Sequence, residues 1–460
     1  MFQSRSRFVS TCVLVIAWVG ISACSSSEVE KSVTEAPSAS DAALTSSVPS
    51  NEQSISGGEL EGMQGTSPTS AQVNAEWLEK VSVYWESLGN NKLIDSMYAA
   101  EAYDAVVVVA LAVEIAGTDG ATHADEIVNI TAGGTKCTSF AECMLIIAEG
   151  GDPDYDGISG PLDFNGNGEP LKGSYAILRY GADNQVDESL TTFVNAELPK
   201  SAIIETGKTT STRSGDGQLK FGSLLPKSGN TALDGDPEFA GLEYAIAEIN
   251  NEGGVLGKRV LYSKGDTGDA DTENVMTSVD RLIIENVDVI IGAASSSATL
   301  AVIDKIVAAG ITMFSPANTS PALSNYPDDN LYFRDALPDG LQGATLANLI
   351  SEDANSSVYI LYINDAYGVG IENVARIALE IAGIEILGTS SYERDATSFE
   401  TEIDEIRTLD PDAVVLISFK EGSLILRTAV ANAIGPKIKI WYGTEGVMSN
   451  SLGAAFESGQ

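Results

Sequence analysis

Residues 218–292 read QLKFGSLLPKSGNTALDGDPEFAGLEYAIAEINNEGGVLGKRVLYSKGDTGDADTENVMTSVDRLIIENVDVIIG, and the changing period of their apolar residues decides the fold. LKFGSLLP (219–226) is an apolar run of strand length. From Glu238 to Asn251, Leu242, Ala245, Ile246 and Ile249 recur at helical spacing, and the pattern stops at Gly253. RVLYSKGD (259–266) is the next strand. Asp271 to Asn286 repeats the helical pattern with Val275, Val279, Leu282 and Ile283, and VDVIIG (287–292) follows as a strand buried on both faces. The alternation continues through ITMFSP (311–316), SSVYILYI (356–363), IEILGTS (384–390), AVVLISF (413–419) and IKIWYG (438–443). Repeated βα units mean parallel sheets covered by helices, so the expected class is α/β.

Residues 59–185 have another texture. Their main feature is one long apolar helix, Ser96 to Ala116 (SMYAAEAYDAVVVVALAVEIA), in which Glu101, Asp104 and Glu114 leave an uncharged run far short of the roughly 20 residues a membrane span needs. It reads as a core helix. ISGPLDF (158–164) and SYAILRY (174–180) read as strands around the turn Asn165-Gly166-Asn167-Gly168. A low-complexity stretch, 197–217, reads as a linker to the βα block, and no repeat relates the two blocks.

The 460 residues suffice for two domains, and 43% hydrophobic residues suffice for real cores. With 26 Lys and Arg against 65 Asp and Glu, the net charge of -39 argues against binding nucleic-acid phosphates or an anionic membrane through the body of the protein.

At the start, Arg5 and Arg7 precede an apolar stretch, Phe8 to Ile21, too short for comfortable spanning, and Ile21-Ser22-Ala23-Cys24 follows. This reads as an export signal over 1–23. The tetrapeptide resembles a bacterial lipobox, in which Cys24 becomes the lipid-modified first residue; an ordinary cleaved signal or an uncleaved anchor are the alternatives. Residues 24–58 are rich in Ser, Ala and Glu and contain no aromatic residue, a composition suited to a flexible tether. Cys137 and Cys143 remain, and in an oxidising compartment they are expected to pair as a disulfide. A zinc site, the alternative, lacks ligands, since His123 is the one histidine and lies in a polar stretch expected at the surface.

Candidate chemistry is sparse. Asp163 to Gly168 imitates the opening of a calcium loop, but Ser174 stands where that loop needs Glu, so a turn is the better reading. No nucleophile elbow, phosphate loop or metalloprotease motif occurs, so an enzyme is the minority class. The run from Gly292 to Leu300 (GAASSSATL) joins a buried strand to a helix; its N–H groups and hydroxyls suit a small carboxylate, or its serines simply cap the helix. Met313 to Thr319 carries similar polar groups past a second strand end, where open α/β sheets place ligands.

In order, FGSLLPKSGNTALDGDPEFAGLEYAIAEINNEGGVLGKRV, VIIGAASSSATLAVIDKI, ITMFSPANTSPALS, NDAYGVG and YGTEGVMSN resemble the leucine/isoleucine/valine-binding family of periplasmic substrate-binding proteins of ABC transporters. LEGMQGTSP (60–68), YAAEAYDAVVVVALA, GTKCTSFAEC and YDGISGPLDFNGNGEPLKGSYAILRYG resemble the later part of the same family. The later portion (59–196) therefore precedes the earlier one (218–460), as in a circular permutant; a rearranged reading frame is the competing reading.

The resemblance implies a two-lobed type I fold, one lobe from 218–337 with the 96–116 helix, the other from most of 338–460 with short strands of the first block. It also implies that Ser296 and the following Ser297, with Ala317 and Thr319, hold a ligand carboxylate. Glu445 would pair with the α-ammonium, while Tyr367 and Phe419 close over the ligand. Leu233-Asp234 stand where many relatives have an aromatic, which leaves the ligand's side-chain pocket open. The implied protein is an exported, lipid-anchored monomer that needs no cofactor or metal and delivers an amino acid or related molecule to an ABC permease. A sensory receptor domain of the same fold is the runner-up.

Overall fold

The computed structural model describes residues 58–69, 73–198, 206–228, 232–268 and 272–458. The export signal, Cys24, the tether up to residue 57, the first part of the linker and the side chains of Leu233 and Asp234 lie outside the described residues.

Two sheets, one wholly parallel and one mixed, organise the chain. The first has five strands, all parallel, in the order Tyr332–Arg334, Thr312–Ser315, Val289–Gly292, Lys220–Leu225 and Leu261–Asp266. Their runs are buried on both faces, which is why the sequence shows continuous apolar stretches there. The long helix Ala99–Ala116 of the first block packs on the helix Ala232–Asn251 of the second, on one face of this sheet. It is buried nearly all round, so it carries no amphipathic stripe. Its acids are buried too. Asp104 is satisfied by the Tyr155 hydroxyl (2.6 Å), the Ile158 and Ser159 amides (3.0 and 2.7 Å) and the Ser159 hydroxyl (2.6 Å). No helix among the described residues is long and apolar enough to cross a membrane.

The second sheet has seven strands in the order Glu385–Tyr392, Ser357–Ile363, Ala413–Ile417, Ile440–Gly443, Gln64–Pro68, Lys172–Arg179 and Thr192–Glu197. The two blocks meet inside it. Gln64–Pro68 runs parallel to Ile440–Gly443 and antiparallel to Lys172–Arg179. Gly65 permits this closeness, because a Cβ there would lie 2.1 Å from the Gly443 carbonyl oxygen. Each lobe thus draws on both blocks, as the family resemblance implies.

Three local readings change. ISGPLDF forms no strand; with Pro161 and Pro170 removing amide donors, only isolated bridges Asp156–Pro161 and Phe164–Pro170 form. His123 is fully buried rather than at the surface, with Nδ1 2.8 Å from the Gly120 carbonyl, and burial pushes its pKa down to about 4. The part of the 197–217 linker that is described, from 206, lies bound along the first lobe. Thr209 and Thr210 donate to Asp329, Arg213 pairs with Asp288 at 3.0 Å, and Asp119 accepts amides of 216–218.

The calcium-like segment is a turn. Asn165 Oδ1 accepts the Asn167 amide, Asp163 pairs with Lys172, and Gly168, at φ +72°, leaves room for the Phe333 ring. Cys137 and Cys143 are bridged across the start of the helix Phe140–Ala148.

Candidate functional site

A cleft with about 900 Å³ of empty space, partly open to solvent, lies between the lobes. Its first-lobe wall consists of residues just past strand carboxyl ends: Pro226, Thr267, Gly268, Ala294, Ser295, Ser296 and Ala317. The opposite wall carries Tyr367, Arg394, Phe419, Glu445, Gly446 and Ser449, and Asp95, Met97 and Tyr98 come from the first block.

The first-lobe wall presents a helix N-terminus and an unpartnered hydroxyl. Ser296 opens the helix Ser296–Ala308, whose first amides have no helical acceptor. Ser295 is the N-cap, yet its side chain makes no cap hydrogen bond, and its buried Oγ has no partner. The capping explanation for this serine run therefore fails at Ser295. The neighbouring loop is fixed by Asn318, whose Nδ2 donates to the Ala293 and Ala294 carbonyls (2.9 and 2.8 Å) and whose Oδ1 accepts from Thr299 (2.6 Å) and Tyr332 (3.0 Å). Arg334 donates to the carbonyls of Asn318 and Ser320 at 3.2 and 2.9 Å. Ala317 is thereby held at the cleft on a rigid loop.

The second wall presents an acid. Glu445, just past the strand Ile440–Gly443, is 4% exposed, accepts from Gln342 Nε2 at 2.5 Å and has no ion pair among the described residues. Burial pushes its carboxyl up to about 7, against the Gln342 and Tyr367 hydrogen bonds that favour the charged form. Tyr367 shares a 2.7 Å hydrogen bond with Thr444, and its ring centroid lies 4.9 Å from that of Phe419. Arg394 stacks on Phe419 at 4.9 Å and donates to Asp365 at 2.7 Å. Asp365 also caps the helix Ala366–Ala382 through the amides of Tyr367 and Gly368.

Ser296, Ala317, Tyr367, Phe419 and Glu445 thus come together on the cleft. Ser297 and Thr319 do not line it. The Ser297 hydroxyl accepts the Ala366 amide at 3.1 Å and Ser320 donates to the Ala366 carbonyl at 2.9 Å, so these serines join the lobes. The Thr319 side chain is buried beside Asp339. Sequence reasoning missed Asp95, Tyr98, Glu238, Gln342 and Arg394. Tyr98 has φ +58° immediately before the long helix, and its hydroxyl is buried without a partner. The one signal available for it was its place ahead of that helix. Among the described residues no group of three or more His, Cys, Asp or Glu could hold a metal ion.

Comparison with known proteins adds relatives. The model of the periplasmic binding protein family matches residues 218–457. The chain is 26% identical over 216 residues to Leu/Ile/Val-binding protein homolog 7 of Brucella abortus (strain 2308), covering 45% of this chain and 54% of that protein. It is 32% identical over 241 residues to the Leu/Ile/Val-binding protein of Citrobacter freundii, covering 51% and 63%. The chain therefore spans 54% and 63% of the length of these two curated relatives. Among solved structures, it is similar to a branched-chain amino acid transporter substrate-binding protein from Streptococcus pneumoniae in complex with isoleucine. That likeness has 26% identity and a TM-score of 0.46, covering 50% of this chain and 65% of the other.

Proposed function

Because the chain belongs to the periplasmic binding protein family, we propose that it captures an amino acid or a closely related zwitterion outside the cytoplasm and presents it to an ABC permease. The carrying observation is the pairing of walls. One wall offers helix N-terminal amides and the unpartnered Ser295 hydroxyl; the other offers a buried carboxylate, Glu445, with no ion pair among the described residues. A zwitterion satisfies both at once. Ser296 and Ala317 contact its carboxylate, Glu445 its ammonium, and Tyr367 and Phe419 cover it. The relatives named for leucine, isoleucine and valine favour a branched-chain ligand.

The finer parts of the reading rest on the sequence. Cys24 is the lipid-modified residue, the stretch to 58 is the tether, and the Cys137–Cys143 bridge suits an oxidising envelope compartment. The monomer acts by ligand binding and lobe closure, without chemistry. The chain order is that of a circular permutant. In support, Asn184 of the first block accepts the Leu60 amide at 2.9 Å and donates to Glu457 of the helix Asn450–Ser458 at 3.4 Å, and the strand Gln64–Pro68 pairs with Ile440–Gly443, so the first block meets the end of the second.

A thermal-shift screen of the full chain against amino acids, amides, short peptides and polyamines tests the function. A ligand at 100 times its Kd stabilises by about 2.7 kcal/mol. A hit that Glu445→Ala removes supports the site; a cooperative melt with no hit among amino acids refutes the ligand class.

A further inference from the structure

A second cavity lies apart from the cleft, where stretches of chain cross between the lobes. It has about 330 Å³ of empty space and is partly open to solvent. Thr69 follows the second-lobe strand Gln64–Pro68, and Lys172 and Ser174 open the strand Lys172–Arg179. Asp335 lies on the crossing from the first-lobe strand Tyr332–Arg334 to the helix Asp339–Glu352. Glu101, on the long first-lobe helix, and Ser159 complete the polar lining.

Asp335 is 5% exposed, and neither of its carboxylate oxygens has a hydrogen-bond partner; the amides of Asp335 and Ala336 act on its charge without closing such a bond. Neither Asp335 nor Glu101 has an ion pair among the described residues. The nearby cations are committed, Lys172 to Asp163 and Arg334 to Glu169. Asp104, the next acid, is already satisfied by Tyr155, Ile158 and Ser159. A buried carboxylate without partners is costly, so a pair of acids lining one cavity calls for either protons or a cation. Burial accordingly pushes Glu101 up to about 8 and raises Asp335 as well. The lining holds no His, Cys or Met, and its ligands are the two carboxyls and the hydroxyls of Thr69, Ser159 and Ser174. Such hard oxygen donors suit a hard cation, and calcium tolerates an irregular, partly hydrated shell.

We propose that this cavity is a calcium site, in which Asp335 and Glu101 supply the charge while hydroxyls and water complete the coordination. Any proton the acids carry passes to solvent as the Ca–O contacts form. Two carboxyls are fewer than a tight calcium site uses, so the expected Kd is on the order of 0.1–1 mM, the range of extracellular modules. The ion bridges first-lobe acids and second-lobe hydroxyls, and so joins the lobes where the chain crosses between them. The inference does not depend on what the cleft binds.

The test is calcium titration of the full chain, first stripped with a chelator, by isothermal titration calorimetry and thermal melting. Calcium chloride up to about 10 mM is compared with sodium chloride at equal ionic strength, because a chain of net charge -39 also attracts cations diffusely. The wild type is expected to take up one calcium per chain saturably and to melt higher in calcium than in sodium. Asp335→Asn should weaken that uptake at least tenfold. Should Asp335→Asn not fold, Glu101→Gln makes the same comparison. A wild type that responds to calcium no more than to sodium overturns the inference, whatever the variants do. Uptake that a folded Asp335→Asn or Glu101→Gln leaves unchanged overturns it too, and assigns the calcium to surface acids.

Discussion

Arg334→Met should unfold this protein far more readily than its distance from the ligand suggests. Arg334 is 1% exposed and reaches Glu169 of the first block through Nε at 3.0 Å and Nη2 at 2.5 Å. It also donates to the Ser324 hydroxyl at 2.7 Å and to the two carbonyls that fix the loop beside Ala317. Removing the arginine leaves Glu169 as a buried, uncompensated charge, at a cost of about 3–5 kcal/mol. Glu169→Leu leaves the guanidinium in the same position, at a similar cost. The double variant Arg334→Met/Glu169→Leu removes both charges and retains mainly the loss at the two carbonyls, about 2 kcal/mol. The two changes together should therefore cost less than either alone. Urea unfolding followed by tryptophan fluorescence reads this directly, since Trp77 and Trp85 lie in the first-lobe core and Trp441 in that of the second. The reasoning is refuted if the double variant costs as much as the sum of the singles, or if Arg334→Met costs less than about 1 kcal/mol.

Other consequences concern the acids, the disulfide and the seam between blocks. The folded pKa values of Glu101, Asp339 and Glu445 are raised to about 8, 8 and 7, chiefly by burial. Their stabilisation is complete below the unfolded carboxyl range and is lost progressively as pH rises from there through the folded values of 7 to 8, so the urea midpoint should fall between about pH 5 and 8 and level off above, and Glu101→Gln should flatten the fall. His123 runs the other way. Its pKa is depressed to about 4, so its contribution is present above its unfolded value and is lost as pH falls through 6.5 toward 4; His123→Asn should remove that acid-side loss in the same titration. Cys137→Ser/Cys143→Ser opens a loop closed by residues six apart and should lower stability by about 2 kcal/mol in chemical denaturation. Gly65→Ala forces a methyl group against the Gly443 carbonyl, and a loss of soluble, cooperatively melting protein is expected; an unchanged melt contradicts the parallel pairing of the blocks.

Much of the fold was legible because burial on both faces of a parallel sheet imposes continuous apolar runs, and helices covering it impose period 3.6. The strands and helices from residue 218 onward follow that rule to within a few residues at their ends. Legibility failed where single residues depend on tertiary neighbours. His123 sits among polar residues, so its sequence context suggested the surface, but the first-lobe packing around 119–123 and the linker segment 213–218 enclose it. ISGPLDF had strand-like composition, and its prolines and bends decided against pairing. At the site, polar runs past strand ends pointed to the segments holding Ser296 and Ala317, and the family resemblance to Glu445. Tyr98, Gln342 and Arg394 carry no local pattern and converge only through the folding of distant segments. Ser297 looked identical in kind to Ser296, and a single step along the helix turned it from the cleft to the Ala366 amide.

Native mass spectrometry of the full chain, incubated with a mixture of the standard amino acids, tests the central claim most directly. One amino-acid mass retained per chain, and lost in Glu445→Ala, is the expected result. A chain that retains no amino acid, or that retains one equally well without the Glu445 carboxylate, contradicts the account.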